Sequence, residues 1–412
     1  MRSLGLFLRA GGCAAALVLV ISACDDSTGA PTDADLGATD LGPGIDSEAG
    51  TDAKQPDGLV HGIIGRFSAL AAHGGKLMAS GYEKNFGDLV LTTVSVGDLT
   101  GLTEEIVDGV PNSPPTKDPG GWRGGVSQAG DDVGQDTDIV VDGSGAPMIA
   151  YRDITALSLK YARRSGGAWT SHTVDKPKAS TREIVGRYGS MVLNGGKPAI
   201  AYLALNVGPK NSAFSSQLRW AEATSASPSG PSDWTVTVVE ENPMPCRNLC
   251  QSGELCVLAA DGTSTCKPED SGCSSCASGT GCVGGKCVPV LADSKVVDVP
   301  VATGLWPAAT VVSGTPLVVY YDRMKGRLKA ATRSGGSWKT AVVRSGTGAD
   351  RVGAFCDVAV EAGGTVHVAY QNEAKATLHY LQLDPATLKG SADETIDNGM
   401  RVDGQHPVGS IP

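Results

Sequence analysis

Eight of the eleven cysteines fall between residues 246 and 287, the densest set of reactive side chains in the sequence. They form two quartets, Cys246, Cys250, Cys256 and Cys266, then Cys273, Cys276, Cys282 and Cys287. Both quartets keep five residues between the second and third cysteine, and in both the third is followed by valine (Val257, Val283). Thiols so spaced have two uses. As thiolates they would hold zinc, and Cys273-x-x-Cys276 has ligand spacing. As disulfides they would staple a segment too short to bury a core of its own. Four cysteines allow three pairings. First-to-third with second-to-fourth is the expected one, as a duplicated two-disulfide module with no metal.

A second pattern could bind a ligand. Tyr151 is followed by Asp153, Tyr320 and Tyr321 by Asp322, and Tyr370 by Asn372, each at the end of a short apolar run. Acids and amides beside aromatic rings suit hydrogen bonding and stacking to carbohydrate. The competing use is structural, because Asp and Asn open turns by bonding their own backbone and the tyrosines would fill gaps between sheets. Trp122 lies in a Pro/Gly-rich excursion at 111–131, where it could stack on a ligand or fold back on a neighbouring sheet. Trp169, Trp234 and Trp338 share one position in the repeats described below and are expected to pack between sheets. The six histidines (His61, His73, His172, His367, His379, His406) are scattered, without HExxH, G-x-S-x-G or a phosphate-binding glycine loop. No catalytic residue and no cofactor is expected from motifs.

These side chains are carried by short strands. From Gly304 to Val343 four runs rich in β-branched and aromatic residues alternate with Ser, Gly and Asp turns, which reads as four antiparallel strands. The outline recurs at 138–174, 190–239 and 357–396, and in diverged form at 67–107. Four copies open on an apolar residue and glycine (Ile64-Gly65, Val133-Gly134, Val185-Gly186, Val352-Gly353), and the other opens on Thr303-Gly304. A lone sheet cannot bury both faces, so the copies must cover one another. Repeats of roughly 40–50 residues with four strands each predict an all-β fold, a β-propeller of about five blades. A sixth opening at Val408-Gly409 leaves six as the alternative count. The expected layout is a propeller-like domain over 58–412 with the cysteine-rich insertion at 246–287 inside it.

Residues 1–23 combine Arg2 and Arg9 with an apolar stretch, Ala14 to Ile21, too short to span a bilayer and typical of an export signal. Export to an oxidising compartment favours disulfides over zinc. Residues 25–57 hold nine acidic side chains against Lys54 alone, so 24–57 is expected to be an extended acidic linker. Over the chain 34 Lys and Arg face 44 Asp and Glu, a net charge of −10 without a basic cluster, which argues against nucleic acid as a partner.

Ile21-Ser22-Ala23-Cys24 resembles the lipobox of bacterial lipoproteins. The resemblance implies cleavage before Cys24, acylation of that residue (a palmitate-type anchor) and attachment to a membrane. The whole chain resembles uncharacterised lipoproteins of myxobacteria-type Gram-negative bacteria that join a lipobox, an acidic linker, blade-like repeats and short Cys-rich modules. That implies a cell-envelope location, at the outer membrane or cell surface rather than the inner membrane. Arg164 to Trp169 and Arg333 to Trp338 faintly resemble the Asp-box hairpin of sialidase-type propellers but lack its Asp. The function expected first is non-enzymatic: a lipid-anchored scaffold whose propeller recognises a protein or a glycan. The alternative is a glycan-directed hydrolase with carboxylates at the propeller mouth.

Overall fold

The computed structural model describes residues 62–110, 130–179, 181–208, 213–246, 249–260, 263–291, 299–348, 350–401 and 404–405. Cys24 and Trp122 lie outside them, as do the export signal, the acidic linker and the Val408-Gly409 opening.

The protein is all-β. Six four-stranded antiparallel sheets account for nearly all regular structure, and a single 3-10 turn, Pro231–Asp233, is the helical element among the described residues. Five sheets run as simple meanders: sheet I (64–108), sheet II (133–175), sheet III (184–244), sheet IV (303–345) and sheet V (352–397). The hairpins form where the sequence permits tight reversal. Gly166 and Gly167, at φ 59° and 84°, join Ser158–Ser165 to Ala168–Asp175 in the left-handed conformation that a two-residue turn needs. The sixth sheet is the cysteine-rich one, with strands in the order 264–268, 254–258, 286–291, 280–283.

The sheets stack in series, and each interface between them is a core of its own. Met78, Leu89 and Leu91 of sheet I meet Ile139 and Ile149 of sheet II. Met148 and Tyr161 of sheet II meet Met191 and Ile200 of sheet III. Trp220 and Val239 of sheet III meet Val318 and Tyr320 of sheet IV, and Leu317 and Val319 of sheet IV meet Val358 and Val368 of sheet V. The side chains of a strand alternate between two faces, so both faces of the middle sheets must be apolar. That is why Pro147–Asp153 is buried throughout.

The opening glycines fix how closely the sheets approach. A Cβ on Gly134, Gly186 or Gly353 would lie 2.9 Å from the Cα of Leu89, Leu159 or Leu328 in the preceding sheet, and all three glycines have positive φ. Trp169, Trp234 and Trp338 pack against the preceding sheet. The Trp169 indole donates to Glu105 at 3.1 Å, Trp234 donates to His172 at 2.9 Å, and Trp338 meets Trp220 edge-on at 5.5 Å.

The cysteine-rich sheet carries four disulfides: Cys246–Cys256, Cys250–Cys266, Cys273–Cys282 and Cys276–Cys287. Both quartets pair first-to-third and second-to-fourth, which removes the thiolates that zinc would need. Cys246, Cys256 and Cys266 pack with Leu203, Phe214 and Leu305, so the first quartet belongs to the core between sheets III and IV. Cys356 is a free, buried thiol. Burial pushes its pKa up, and its sulfur donates to the Trp306 carbonyl at 3.1 Å.

Candidate functional site

The turn between the second and third strands of each sheet lies at the same end of the molecule as the start of the next sheet's first strand. The amides of Val133, Val185 and Val352 donate to the carbonyls of Gly87, Leu157 and Gly326 in those turns. Asp153, Asp322 and Asn372 sit at this end, buried to 3%, 2% and 2% exposure. Each serves its own turn. Asp153 accepts the Ala156 amide at 2.7 Å. Asp322 accepts the Lys325 amide at 3.2 Å and the Arg327 guanidinium at 2.7 Å. Asn372 accepts the amides of Ala374 and Lys375 at 3.1 and 3.2 Å. The hydrogen bonds of these three groups stay within sheets II, IV and V respectively, so each caps its own turn.

A different set faces the line where the first strands meet. Two residues after each opening glycine the backbone turns left-handed: Phe67 (φ 51°), Asp136 (51°), Tyr188 (54°), Trp306 (45°) and Phe355 (49°). A side chain in that region costs about 1–3 kcal/mol, and such residues persist only when their surroundings over-determine them. Here the register slips between Gly134 and Asp138, and at the equivalent places in the other four first strands, so each residue sits in a β-bulge. Two of the freed carbonyls are taken by the next sheet. Thr137 donates to Phe67 O at 2.8 Å, and Cys356 donates to Trp306 O.

Three of these side chains make an aromatic wall. Trp306 lies 5.5 Å from Tyr188 and 4.1 Å from Phe355 by ring centroids, and stacks on Tyr321 at 5.9 Å. All but Tyr321 are half-buried. Beside the wall, on sheets I to III, is a charged cluster. Arg152, opposite Gln135 in the ladder, lies within electrostatic reach of Asp136, Arg187, Tyr188 and Asp132. The Arg187 guanidinium covers the Tyr188 ring at 5.0 Å. Asp132 is hydrogen-bonded to Tyr82, and its Oδ1 is buried without a hydrogen-bond partner among the described residues. Burial pushes the Asp132 carboxyl up, over the opposing pull of the Tyr82 hydroxyl and Arg152. Burial, then Asp132, pushes the Tyr82 phenol up as well.

The arrangement therefore sets two carboxyl groups, Asp132 with its pKa raised by burial and Asp136, within electrostatic reach of Arg152. Sequence reading missed this set. Part of its signal was present, since Phe67, Asp136, Tyr188, Trp306 and Phe355 each sit two residues after an opening glycine, but they are of four residue types and the backbone is what unites them.

No family model matches the sequence, and no curated protein matches it either. Among solved structures, the chain is similar to an α-L-arabinofuranosidase of Fusarium graminearum in complex with arabinobiose, at 10% identity and TM-score 0.42, covering 81% of this chain and 80% of that one. It is similar to an α-L-arabinofuranosidase of Lactobacillus brevis at 11% identity and TM-score 0.33, covering 85% and 96%. It is similar also to an exo-β-1,3-galactanase of Phanerochaete chrysosporium at 10% identity and TM-score 0.37, covering 80% of this chain and 62% of that one. These neighbours are glycoside hydrolases. Their class is that of the alternative expected from the sequence, not of the binding scaffold expected first, and at TM-scores of 0.33, 0.37 and 0.42 the likeness does not carry a role over to this chain. The case for particular residues rests on the geometry of this chain alone.

Proposed function

We propose that the protein is a glycan-directed hydrolase whose site is the aromatic and charged cluster on the inner strands. The observation that carries this is Asp132, a carboxyl with a raised pKa and an unpartnered buried oxygen, set with Asp136 around Arg152. Glycoside hydrolysis needs two carboxyl groups in different states. Asp132 acts as the general acid, giving a proton to the glycosidic oxygen as the C–O bond breaks. The Asp136 carboxylate stabilises the positive charge that develops on the sugar ring. Water supplies the hydroxyl to the anomeric carbon, and its proton restores Asp132. Tyr188, Trp306 and Phe355 offer the ring faces on which a sugar stacks. The five meander sheets are, in this reading, the blades of a propeller with their first strands around its axis.

The test is release of reducing ends from a panel of plant, fungal and bacterial polysaccharides. Asp132→Asn and Asp136→Asn should each lower the rate by about 10²-fold or more with unchanged circular dichroism and melting. Full activity in both variants, or no release from any polysaccharide, would overturn the assignment.

We further propose that Cys24 is acylated and holds the protein in the cell envelope, the acidic stretch 25–57 setting its distance from the membrane. The Ile21-Ser22-Ala23-Cys24 sequence supports this. Intact-mass analysis of the detergent-extracted protein should find a diacylglyceryl-type mass increment that disappears in Cys24→Ser.

A further inference from the structure

We infer that sheet V carries a second site, in which Thr377 is a nucleophile, His379 its base and Asp393 the group that orients the base, and that this site cleaves a carboxylic ester. It lies apart from the cluster on sheets I to III and does not rest on the glycan reading.

Nε2 of His379 lies 2.7 Å from Oγ1 of Thr377, and Nδ1 lies 3.0 Å from Oδ2 of Asp393. The other Asp393 oxygen accepts the Tyr370 hydroxyl, and the Tyr370 ring stacks on the imidazole at 5.5 Å and 15°. A carboxylate can only accept, so Nδ1 carries the ring proton and Nε2 is left to accept from the Thr377 hydroxyl. A hydroxyl within reach of a base that a third group orients is the arrangement of nucleophilic catalysis. The set is open to solvent: the side chains of His379 and Asp393 are 12% and 30% exposed, and Thr377 is half-buried.

The strand geometry puts these groups together. Thr377 and His379 are two apart on Thr377–Leu383 and so share a face. Thr377 opens that strand directly after the left-handed Ala376 (φ 52°), in the turn that Asn372 caps, so its hydroxyl is held at the fixed end of a hairpin. His379 lies opposite Tyr370, the position that holds Lys160, Arg219 and Lys329 in sheets II, III and IV. Lysine and arginine hold their charge at neutral pH, whereas a neutral imidazole can take a proton. Two residues before those cations stand Ser158, Gln217 and Arg327. Ser158 has a hydroxyl but is 1% exposed. Of these four sheets, sheet V is the one that sets a base beside a reachable hydroxyl.

In the reaction Thr377 Oγ1 bonds to the ester carbonyl carbon as its proton passes to Nε2 of His379. The ester C–O bond breaks, the alcohol leaves with that proton, and the acyl group stays on Thr377. Water then adds to the acyl carbon, giving a proton to the same nitrogen, and Thr377 leaves with that proton as the acid is released. An ester is the substrate class because an alcohol is a better leaving group than an amine.

The experiment is incubation of the full chain with p-nitrophenyl acetate, following nitrophenol release and mapping the acetyl group in the quenched protein. The acetyl group should be found on Thr377. Thr377→Ala and His379→Gln should each slow release by about 10²-fold, and Thr377→Ser should keep it. Asp393→Asn should slow release, and Asp393→Glu should restore part of it. Thr377→Ala removes one hydroxyl at a half-buried strand start, so it decides the matter even where His379→Gln lowers the melting temperature. Acetyl groups confined to lysines, release unchanged in Thr377→Ala, or no release above that of buffer would overturn the inference. None of these outcomes bears on Asp132 and Asp136, whose test is polysaccharide cleavage.

Discussion

Tyr202 donates its hydroxyl to Asp175 at 2.6 Å, across the boundary between sheets III and II. Arg219, directly opposite Tyr202 in the ladder, reaches the same carboxylate oxygen at 2.8 Å. The relation recurs. Tyr151 and its cross-strand partner Lys160 both reach Asp108 of sheet I at 2.5 Å. Tyr320 and its partner Lys329 both bond Glu240 of sheet III. Sheets II, III and IV thus each grip an acid at the end of the preceding sheet with one tyrosine and one cation. Sheet I, the first in chain order among the described residues, carries Gly81 and Val90 at the paired position. Sheet V has Tyr370 and His379, but sheet IV offers Arg344 where the acid would be, and both instead bond Asp393 of sheet V itself.

Tyr202→Phe removes the hydroxyl and leaves Asp175 with Arg219. It should cost about 1.5–3 kcal/mol, the worth of a hydrogen bond to a charged group, read from urea unfolding. Arg219→Met should cost more, because Glu183, 1% exposed and bonded to Arg219, would be left buried without its cation. A smaller loss for Arg219→Met than for Tyr202→Phe would refute the latch as described.

The Glu240 latch makes stability fall in acid. Burial pushes the Glu240 carboxyl up, but hydrogen bonds from Lys329 and Tyr320 outweigh it and hold its pKa below the ordinary 4.5. A folded pKa below the unfolded one means that the latch contributes fully above pH 4.5 and is lost as pH falls through the lower, folded value. Melting temperature should drop on acidification below that point, and Glu240→Gln should start lower at neutral pH and show a shallower drop. Parallel curves for the two proteins would argue against the assignment.

Gly186→Ala tests the contact that sets sheet spacing. Its Cβ would sit 2.9 Å from the Leu159 Cα and 3.0 Å from its amide nitrogen, both backbone atoms that cannot rotate away, at φ 89°. The loss should exceed the ~1 kcal/mol of a left-handed alanine alone and reach about 3 kcal/mol. Gly166→Ala shares the positive φ but meets nothing within 4 Å, so it isolates the conformational part. Equal losses in the two variants would remove the close-approach explanation.

The repeat was legible because its signals are local. Opening glycines, turn pairs such as Gly335-Gly336 and β-branched runs each dictate backbone over a few residues. The cysteine pairing was legible because two quartets with one spacing constrain each other. The role of Asp153, Asp322 and Asn372 was half legible: a polar residue at a strand end signals a turn, and the same residue type signals a ligand site. The inner-strand cluster was not legible. Asp132 precedes the first strand of sheet II, Arg152 lies on its second strand and Arg187 on the first strand of sheet III, and what unites them is the stacking of one sheet on the next. For Tyr151 and Tyr320 one of the two expected uses was to fill gaps between sheets, and their rings, like that of Tyr202, are buried there. That their hydroxyls meet an acid two strands and one sheet away depends on the same stacking.

The two disulfide quartets should differ in what they hold. Cys246 and Cys256 are buried at 0% and 3% exposure and pack with Leu203, Phe214 and Leu305 between sheets III and IV. The half-cystines Cys273, Cys276 and Cys287 are half-buried or exposed, and in the second quartet Cys282 alone is buried. The chain-entropy contribution is similar for all four, about 3 kcal/mol for a closed loop of some 15 residues. The destination of that energy differs. Opening Cys246–Cys256 replaces a buried crosslink by two groups in the sheet III–IV core, so Cys246→Ser with Cys256→Ser should lower the melting temperature of the whole protein. Cys276→Ser with Cys287→Ser should loosen residues 273–287 with little effect on the global melt. Hydrogen exchange separates the cases: the second variant should show faster exchange confined to 280–291, whereas the first should show it in the strands at 197–207 and 303–312 as well. Faster exchange in those two strands in the second variant, or a global melt lowered equally in both, would show that the two halves of the cysteine-rich sheet act as one unit.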